Sequence, residues 1–305
     1  MEPWDADREL TSEAAVAVIE GQFPELAPVK LVRLPSGWDS DVYRVNEEWA
    51  FRFPRRQEVV ATQAKETAVL PTIADYLSVS IPRIEKRGRP TEDFPYPFVG
   101  YHYLPGVAAD RLPSDRPDRS ALAADLGRAL SELHAIPPER LAKGVVPAAK
   151  HGPAEWQKWV TQHAESIRPL LPPDLLAACE PWLVGTASLP ERYGGPARLV
   201  HNDVCPDHLL VDATSGKLTG LIDFGDLALG DPALDFVGLY CWMGAEFVTE
   251  TLESYSLPRD DAFQDRLSAM SRLQALDWLR AASLQGVAEV VAKHVRWVRN
   301  AFDIA

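Results

Sequence analysis

Cysteine is scarce in this chain of 305 residues: Cys179, Cys205 and Cys241 stand far apart and form no CxxC pair. That argues against a disulfide framework or a structural zinc knuckle, and predicts a reducing, cytoplasmic setting. Long apolar runs are also missing. None approaches the roughly 20 residues that a membrane span needs, so no membrane association is expected. The opening MEPWDADRELTSEAA is acidic and has neither the basic start nor the apolar centre of a signal peptide. Positive charge is in deficit, since 31 Lys and Arg face 44 Asp and Glu for a formal charge of −13. Neutralising phosphates needs the opposite balance, so nucleic acid is not an expected partner. No GxxxxGKS or GxxxxGKT loop, GxSxG elbow or HExxH helix occurs, which leaves P-loop, esterase and zincin chemistry without support.

What is present describes an ordinary globular enzyme, with 46% hydrophobic and 25% charged residues in one large domain or two lobes. A helix is predicted over 10–21, with Thr11 or Ser12 as N-cap and Gly21 as terminator. Strands are expected at 30–34, 41–45 and 49–53, the last two joined by a tight Asn46-Glu47-Glu48 turn. The stretch 58–77 reads as a helix that Pro71 kinks or breaks. Strands follow near 81–86 and 97–104, and Pro105-Gly106 marks a boundary. Beyond the turn-rich 111–118, helical periodicity dominates, with helices expected at 153–171, 173–184 and from 233 onward. Trp156, Trp159, Trp278 and Trp297 lie at helical spacing among apolar residues and read as core. The expected architecture is α+β: an antiparallel-sheet lobe over 1–104 and a mainly helical lobe over 105–305.

The densest chemistry lies in RLVHNDVCPDHLLVDATSGKLTGLIDFGDLALGDPALD, residues 198–235. Asp203 follows a short apolar run onto a loop. A second run leads through Ser215-Gly216 to a third that delivers Asp223. One carboxylate on a loop, then an imidazole and a second carboxylate flanking a hairpin, is the layout of a kinase site. Asp203 is therefore the candidate base that accepts the proton of an acceptor hydroxyl. His208 and Asp223 are the candidate magnesium ligands, although His is unusual for so hard a cation. His201 is expected to buttress the loop, and Asp231 and Asp235 to cap the turn and helix that follow. The same His and Asp set leaves a metallohydrolase as a remote alternative.

A second constellation lies in the first lobe. Arg52 sits in the strand WAFRF and Glu66 fourteen residues later on the following helix. A cation on a strand held by a helix carboxylate can grip the α- and β-phosphates of a nucleotide. Lys is usual there, and Arg is not its equivalent as a phosphate ligand. The loop around Ser36, Gly37 and Ser40 is placed to cover the phosphates. The segment Tyr101, His102 and Leu104 could meet a purine edge, with Tyr101 at the back of the base pocket.

These residues resemble the aminoglycoside phosphotransferase family of kinase-like antibiotic-modifying enzymes. The match runs through GWDSDVYRVNEEWAFRFPRR, the Glu66 helix, SIPRI, PFVGYHYLPG, HNDVCPDHLLVD and TGLIDFGDLALGDPALDF. It looks closest to the 2''-aminoglycoside branch, which also carries His at the position of His208. Macrolide phosphotransferases share similar segments. The resemblance implies a two-lobed kinase fold and a monomer that moves phosphate from ATP or GTP, with Mg²⁺, to an antibiotic hydroxyl. An aminoglycoside is the first expectation for the acceptor and a macrolide the alternative. The 2''-branch carries several acids just after the DFVGL segment that meet ammonium groups. This chain has Tyr240-Cys241-Trp242-Met243 instead, with Glu246 the nearest acid. Asp203, Asp226, Tyr240, Trp242 and Glu246 are accordingly the expected acceptor contacts.

Overall fold

The computed structural model describes residues 6–7, 9–34, 39–112, 119–150 and 152–304. Helix α1 (Ser12–Gln22) starts where Thr11 accepts the Ala14 amide on its hydroxyl, a side-chain N-cap. A five-stranded antiparallel sheet follows in the order β1-β2-β3-β5-β4. Its strands are β1 (Leu31–Arg33), β2 (Ser40–Val45), β3 (Trp49–Pro54), β4 (Ile84–Gly88) and β5 (Phe98–His102). The β2–β3 turn places Asn46 and Glu47 at φ 51° and 62°, the paired left-handed geometry that matches the twist of a tight hairpin. One sheet face is packed with aromatics, including Phe51, Phe53, Phe94 and Phe98, and the Phe53 and Phe98 rings stack at 4.5 Å.

Helix α2 (Gln57–Ile73) crosses between β3 and β4. Pro71 falls in its last turn and does not split it; the helix ends two residues later. Its end, Val69, Leu70 and Ile73, belongs to the core of the helical lobe, so α2 ties the two lobes together.

Past β5 the chain enters the second lobe through β6 (Val107–Ala108), which pairs with β8 (Leu209–Val211) beside β9 (Leu218–Leu221). Strand β7 (Arg198–Val200) pairs instead with β10 (Ala228–Gly230). Strands β6 and β10 are too short to show a period-2 pattern, and sequence reading missed both. The helices are α3 (Ser120–Ala135), α4 (Pro153–Gln162), α5 (Ala164–Ile167), α6 (Pro173–Leu183), α7 (Leu234–Glu253), α8 (Phe263–Leu284) and α9 (Ala288–Ala301). The helix expected over 153–171 is thus interrupted, with His163 non-helical between α4 and α5 and a 3-10 turn after it. Ser80 exchanges backbone hydrogen bonds with Thr219 and Leu221 of β9 at 3.2 and 2.9 Å, a second stitch between the lobes.

Candidate active site

The loop between β7 and β8 carries HNDVCPDH, and its shape is imposed from below. Asp235, at the start of α7, is fully buried. Its Oδ1 accepts the Asn202 amide at 2.6 Å, and its Oδ2 accepts the His201 amide at 2.8 Å. His134 Nε2 donates to the same Oδ2 at 2.8 Å, while Tyr255 donates its hydroxyl hydrogen to His134 Nδ1 at 2.8 Å. A buried carboxylate is costly to desolvate unless its lone pairs are used, and here both oxygens are engaged. The carboxylate therefore holds the catalytic-type loop rather than its own helix. Asn202 is left-handed at φ 67°, strain that this anchoring can sustain. Gly238 lets α7 approach the loop, since a Cβ there would lie 2.2 Å from the Val204 carbonyl oxygen.

His201 is fully buried, and burial lowers its pKa. Its Nε2 donates to the Ile222 carbonyl at 3.1 Å and its ring packs on Phe224 at 4.6 Å, so it joins the loop to the Asp223 segment. Asp231 accepts the Ala233 amide at 3.0 Å and takes Arg266 Nε at 2.7 Å.

Asp203 opens to the cleft from this loop. Cys205 donates its thiol hydrogen to Asp203 Oδ1 at 3.3 Å, and His208 Nδ1 lies 3.3 Å from Oδ2. Burial pushes the Asp203 carboxyl up to about 6, against the pull of His208. His208 Nδ1 also donates to the Asp203 backbone carbonyl at 2.9 Å. That bond leaves Nε2 aimed at Asp223 Oδ2, 3.7 Å away. Burial alone would lower the His208 pKa, but Asp203, Asp207 and Asp223 raise it to about 9. Asp223 sits at φ 64° and ψ 64°, left-handed for a residue with a Cβ.

Arg52 joins this site to the first lobe. It is 7% exposed on β3, and its Nη1 lies 2.9 Å from both Glu66 oxygens. Its Nη2 donates to Asp223 Oδ1 at 3.0 Å. Glu66, buried on α2, also accepts the Phe224 amide at 3.4 Å. Burial pushes Glu66 and Asp223 upward, and the Arg52 guanidinium opposes it strongly enough to hold Asp223 at about 2. The two constellations read separately from sequence are thus one continuous network across the lobe boundary.

A cleft of about 570 Å³ lies over it, lined on one side by Ser40, Arg52 and Glu66 and on its floor by Asp203, His208, Asp223 and Asp226. Ser40 is buried, and its hydroxyl has no hydrogen-bond partner among the described residues. Burial raises the Asp226 pKa, with Asp223 adding to it and Lys65 opposing. Ser36 and Gly37 lie outside the described residues. Tyr101 is buried beside the network, its phenol pushed up to about 12 by burial. The side chains of His102 and Leu104 line a separate cavity of about 390 Å³. Strand alternation turns His102 outward, where it stacks on Trp49 at 4.1 Å.

The expected acceptor contacts after DFVGL need correction. Tyr240 is buried and donates to the Asp303 carboxylate at 3.0 Å. Trp242 packs on Phe247, its carbonyl taken by Asn300 at 2.8 Å, and Glu246 is exposed. None of these three lines the cleft. Helix α7 starts beneath the catalytic-type loop, so its next turns pack on α8, α9 and the chain end. The far wall is built instead by Asp277 and Trp278 of α8 and by Val290, Lys293, His294 and Trp297 of α9. Of the four tryptophans read as core, Trp297 lies in it at 6% exposure and Trp156 and Trp278 pack against it, Trp278 and Trp297 also bordering the cleft, whereas Trp159 is exposed. Cys205 and Asp207, also on the cleft, were passed over inside the motif itself.

Magnesium suits the donor set. His208 Nε2 and Asp223 Oδ2, 3.7 Å apart, would be the two groups open to it, and this ion commonly takes one or two protein groups together with phosphates and water. Among the described residues no cluster of three or more His, Cys, Asp or Glu could hold a metal unaided.

Two lobes joined through Arg52, with a carboxylate loop facing a left-handed Asp-Phe-Gly turn, define the kinase-like class of phosphotransferases. The chain belongs to the phosphotransferase enzyme family, whose model matches residues 30–276. The structure resembles the GDP complex of aminoglycoside 2'-phosphotransferase IIIa with a TM-score of 0.77 at 25% identity, covering 96% of this chain and 99% of that one. It shares its fold with macrolide 2'-phosphotransferase from Brachybacterium faecium, at TM-score 0.62 and 21% identity over 94% of this chain and 97% of that one. In sequence it is 25% identical to viomycin phosphotransferase of Streptomyces vinaceus over 199 residues, 64% of this chain and 67% of that protein.

Proposed function

We propose that this protein transfers the γ-phosphoryl group of ATP or GTP to a hydroxyl of a small antibiotic. The observation that carries the reading is the continuous network from Glu66 through Arg52 to Asp223 and on to His208 and Asp203, lying under one cleft. Asp203 accepts the hydroxyl proton as the acceptor oxygen bonds to phosphorus and the bond to the nucleoside diphosphate breaks. Arg52 meets the α- and β-phosphates with its remaining N–H groups, and Glu66 fixes its fork. Ser36, Gly37 and Ser40 cover the phosphates. The backbone of Tyr101, His102 and Leu104 meets the base at the lobe boundary, which we place at 104/105. His208 and Asp223 would hold Mg²⁺, which when bound offsets the charge of the phosphates. Asp226 stands beside the transferred group. The protein acts as a cytoplasmic monomer on small molecules, without nucleic acid.

Aminoglycoside and viomycin phosphotransferases among the relatives support a polar, aminated acceptor. The aromatic wall formed by Trp278 and Trp297 favours the second reading, a macrolide acceptor. Incubating the full chain with Mg²⁺, ATP or GTP and a panel of both drug classes tests the function. Gain of one phosphoryl group in an acceptor, seen by mass, is the expected result. Phosphodiester hydrolysis without nucleotide would instead support the metallohydrolase alternative.

A further inference from the structure

The turn that presents Asp223 needs holding. At φ 64° and ψ 64° the residue is left-handed, a conformation that a side chain with a Cβ keeps only where its surroundings over-determine it. The entrance to the turn is well held. His201 Nε2 donates to the Ile222 carbonyl at 3.1 Å, and the Ile222 amide donates to the His208 carbonyl at 3.1 Å. Arg52 reaches the Asp223 carboxylate, and the Phe224 amide donates to Glu66 Oε1 at 3.4 Å. At the exit the Leu227 amide meets the Phe224 carbonyl at 3.4 Å, a long bond. The Leu227 carbonyl, however, accepts the Lys65 ammonium at 3.0 Å. Lys65 precedes Glu66 on α2, so neighbouring side chains of one helix take the two ends of the 224–227 turn. Their charges suit their partners, a carboxylate for the amide and an ammonium for the carbonyl. Lys65 is half-buried. Burial lowers its pKa, and the carboxylates of Asp226 and Glu66 oppose that. Its side chain does not line the cleft, so it acts on the site through the turn. The end of α2 is packed into the core of the helical lobe, which gives this clasp a firm base.

Resting on the phosphotransfer reading above, we propose that Lys65 is a positioning residue, which clasps the exit of the Asp223 turn to α2 and so keeps Asp223 facing His208. Arg52 fixes the Asp223 side chain, Glu66 fixes the first amide after it, and Lys65 fixes the last carbonyl of the turn. Without the ammonium the exit is free, and Asp223 relaxes toward the ordinary backbone regions. The pair that would receive Mg²⁺ with the nucleotide phosphates then opens. Contacts of the nucleotide with Arg52 stay as they are, so the loss falls on the metal-dependent part of its affinity.

Two measurements on the full chain test this: calorimetry with ADP and GDP, each in Mg²⁺ and in EDTA, and hydrogen exchange without ligand. Lys65→Met removes the ammonium and keeps an apolar stem. It is expected to weaken binding in Mg²⁺ by about three- to tenfold, the scale of one hydrogen bond, and binding in EDTA by less than about twofold. Lys65→Arg keeps the charge and the donors and should stay within about twofold of the wild type. In Lys65→Met the amides of residues 222–230 should exchange at least about threefold faster, with those of β2 and β3 unchanged. Equal loss in Mg²⁺ and in EDTA marks a merely structural role and overturns the proposal. Unchanged affinity in Mg²⁺, unchanged exchange over 222–230, or Lys65→Arg as weak as Lys65→Met overturns it too. Should circular dichroism show Lys65→Met unfolded, Lys65→Gln takes its place with the same outcomes. If the wild type binds ADP or GDP while the variant results fail, only this proposal falls. If the wild type binds neither, the phosphotransfer reading falls, and the exchange result alone decides on the clasp.

Discussion

Arg52 and Glu66 on one side of the cleft are buried, and Arg52 locks them to the partly exposed Asp223 by charge-assisted bonds at 2.9 and 3.0 Å. Trp278, Lys293 and His294 on the other side are partly exposed, and each rests on the buried Trp297 ring. The first wall can serve only one charge arrangement, because any missing partner leaves a buried ion. The second leaves Trp278, Lys293 and His294 partly open to solvent, where exchange costs the fold less than at a buried ion pair. A common reaction and a variable acceptor call for that division: rigid electrostatics where bonds change, and a soft surface where ligands differ.

The rigid side should break first and hardest. Asp203→Asn is expected to lower kcat by about a thousandfold, within the usual range for loss of acid–base help, while nucleotide affinity changes by less than about twofold. Steady-state kinetics and calorimetry on the same preparation check both halves. Asp235→Ala removes a carboxylate that takes three donors beneath the loop, and should destabilise the fold by about 3–5 kcal/mol in urea unfolding. A loss under about 1 kcal/mol would mean the loop does not depend on that anchor.

Asp223→Asn should weaken magnesium–nucleotide binding by about 10–100-fold, and unchanged affinity by calorimetry counts against a metal role. Arg52→Lys keeps the charge but loses the fork that reaches Glu66 and Asp223 together. Its nucleotide KM should rise by about tenfold. The smallest effect concerns pH. Because burial lifts the Asp203 carboxyl to about 6, the base is ionised above that value and protonated below it. The rate at saturating nucleotide should therefore fall as pH drops through about 6, and a profile flat down to pH 4 would remove Asp203 from the role of base.

The rigid side was also the legible one. Asp203, His208 and Asp223 lie within 21 residues, so spacing alone brings them together on a loop and a hairpin. Arg52 and Glu66 could be paired because a strand followed by a helix returns over itself. Their bond to Asp223, 171 positions on from Arg52, could not be seen that way. The acceptor wall was illegible for a related reason. Trp278 and Trp297 converge from two helices, and helical periodicity alone cannot separate a core face from a cleft face. Tyr240 to Glu246 misled because nearness in sequence to the DFVGL segment stood in for nearness in space. The anchoring role of Asp235 needed His134 from α3, whose partner no local pattern names.

The most direct test of the account is the mass of the acceptor after incubation with magnesium, nucleotide and either wild type or Asp203→Asn. The account predicts one added phosphoryl group on the acceptor with the wild type and none above background with the variant. Equal product from both proteins, or no product from the wild type with any acceptor despite bound nucleotide, would contradict it.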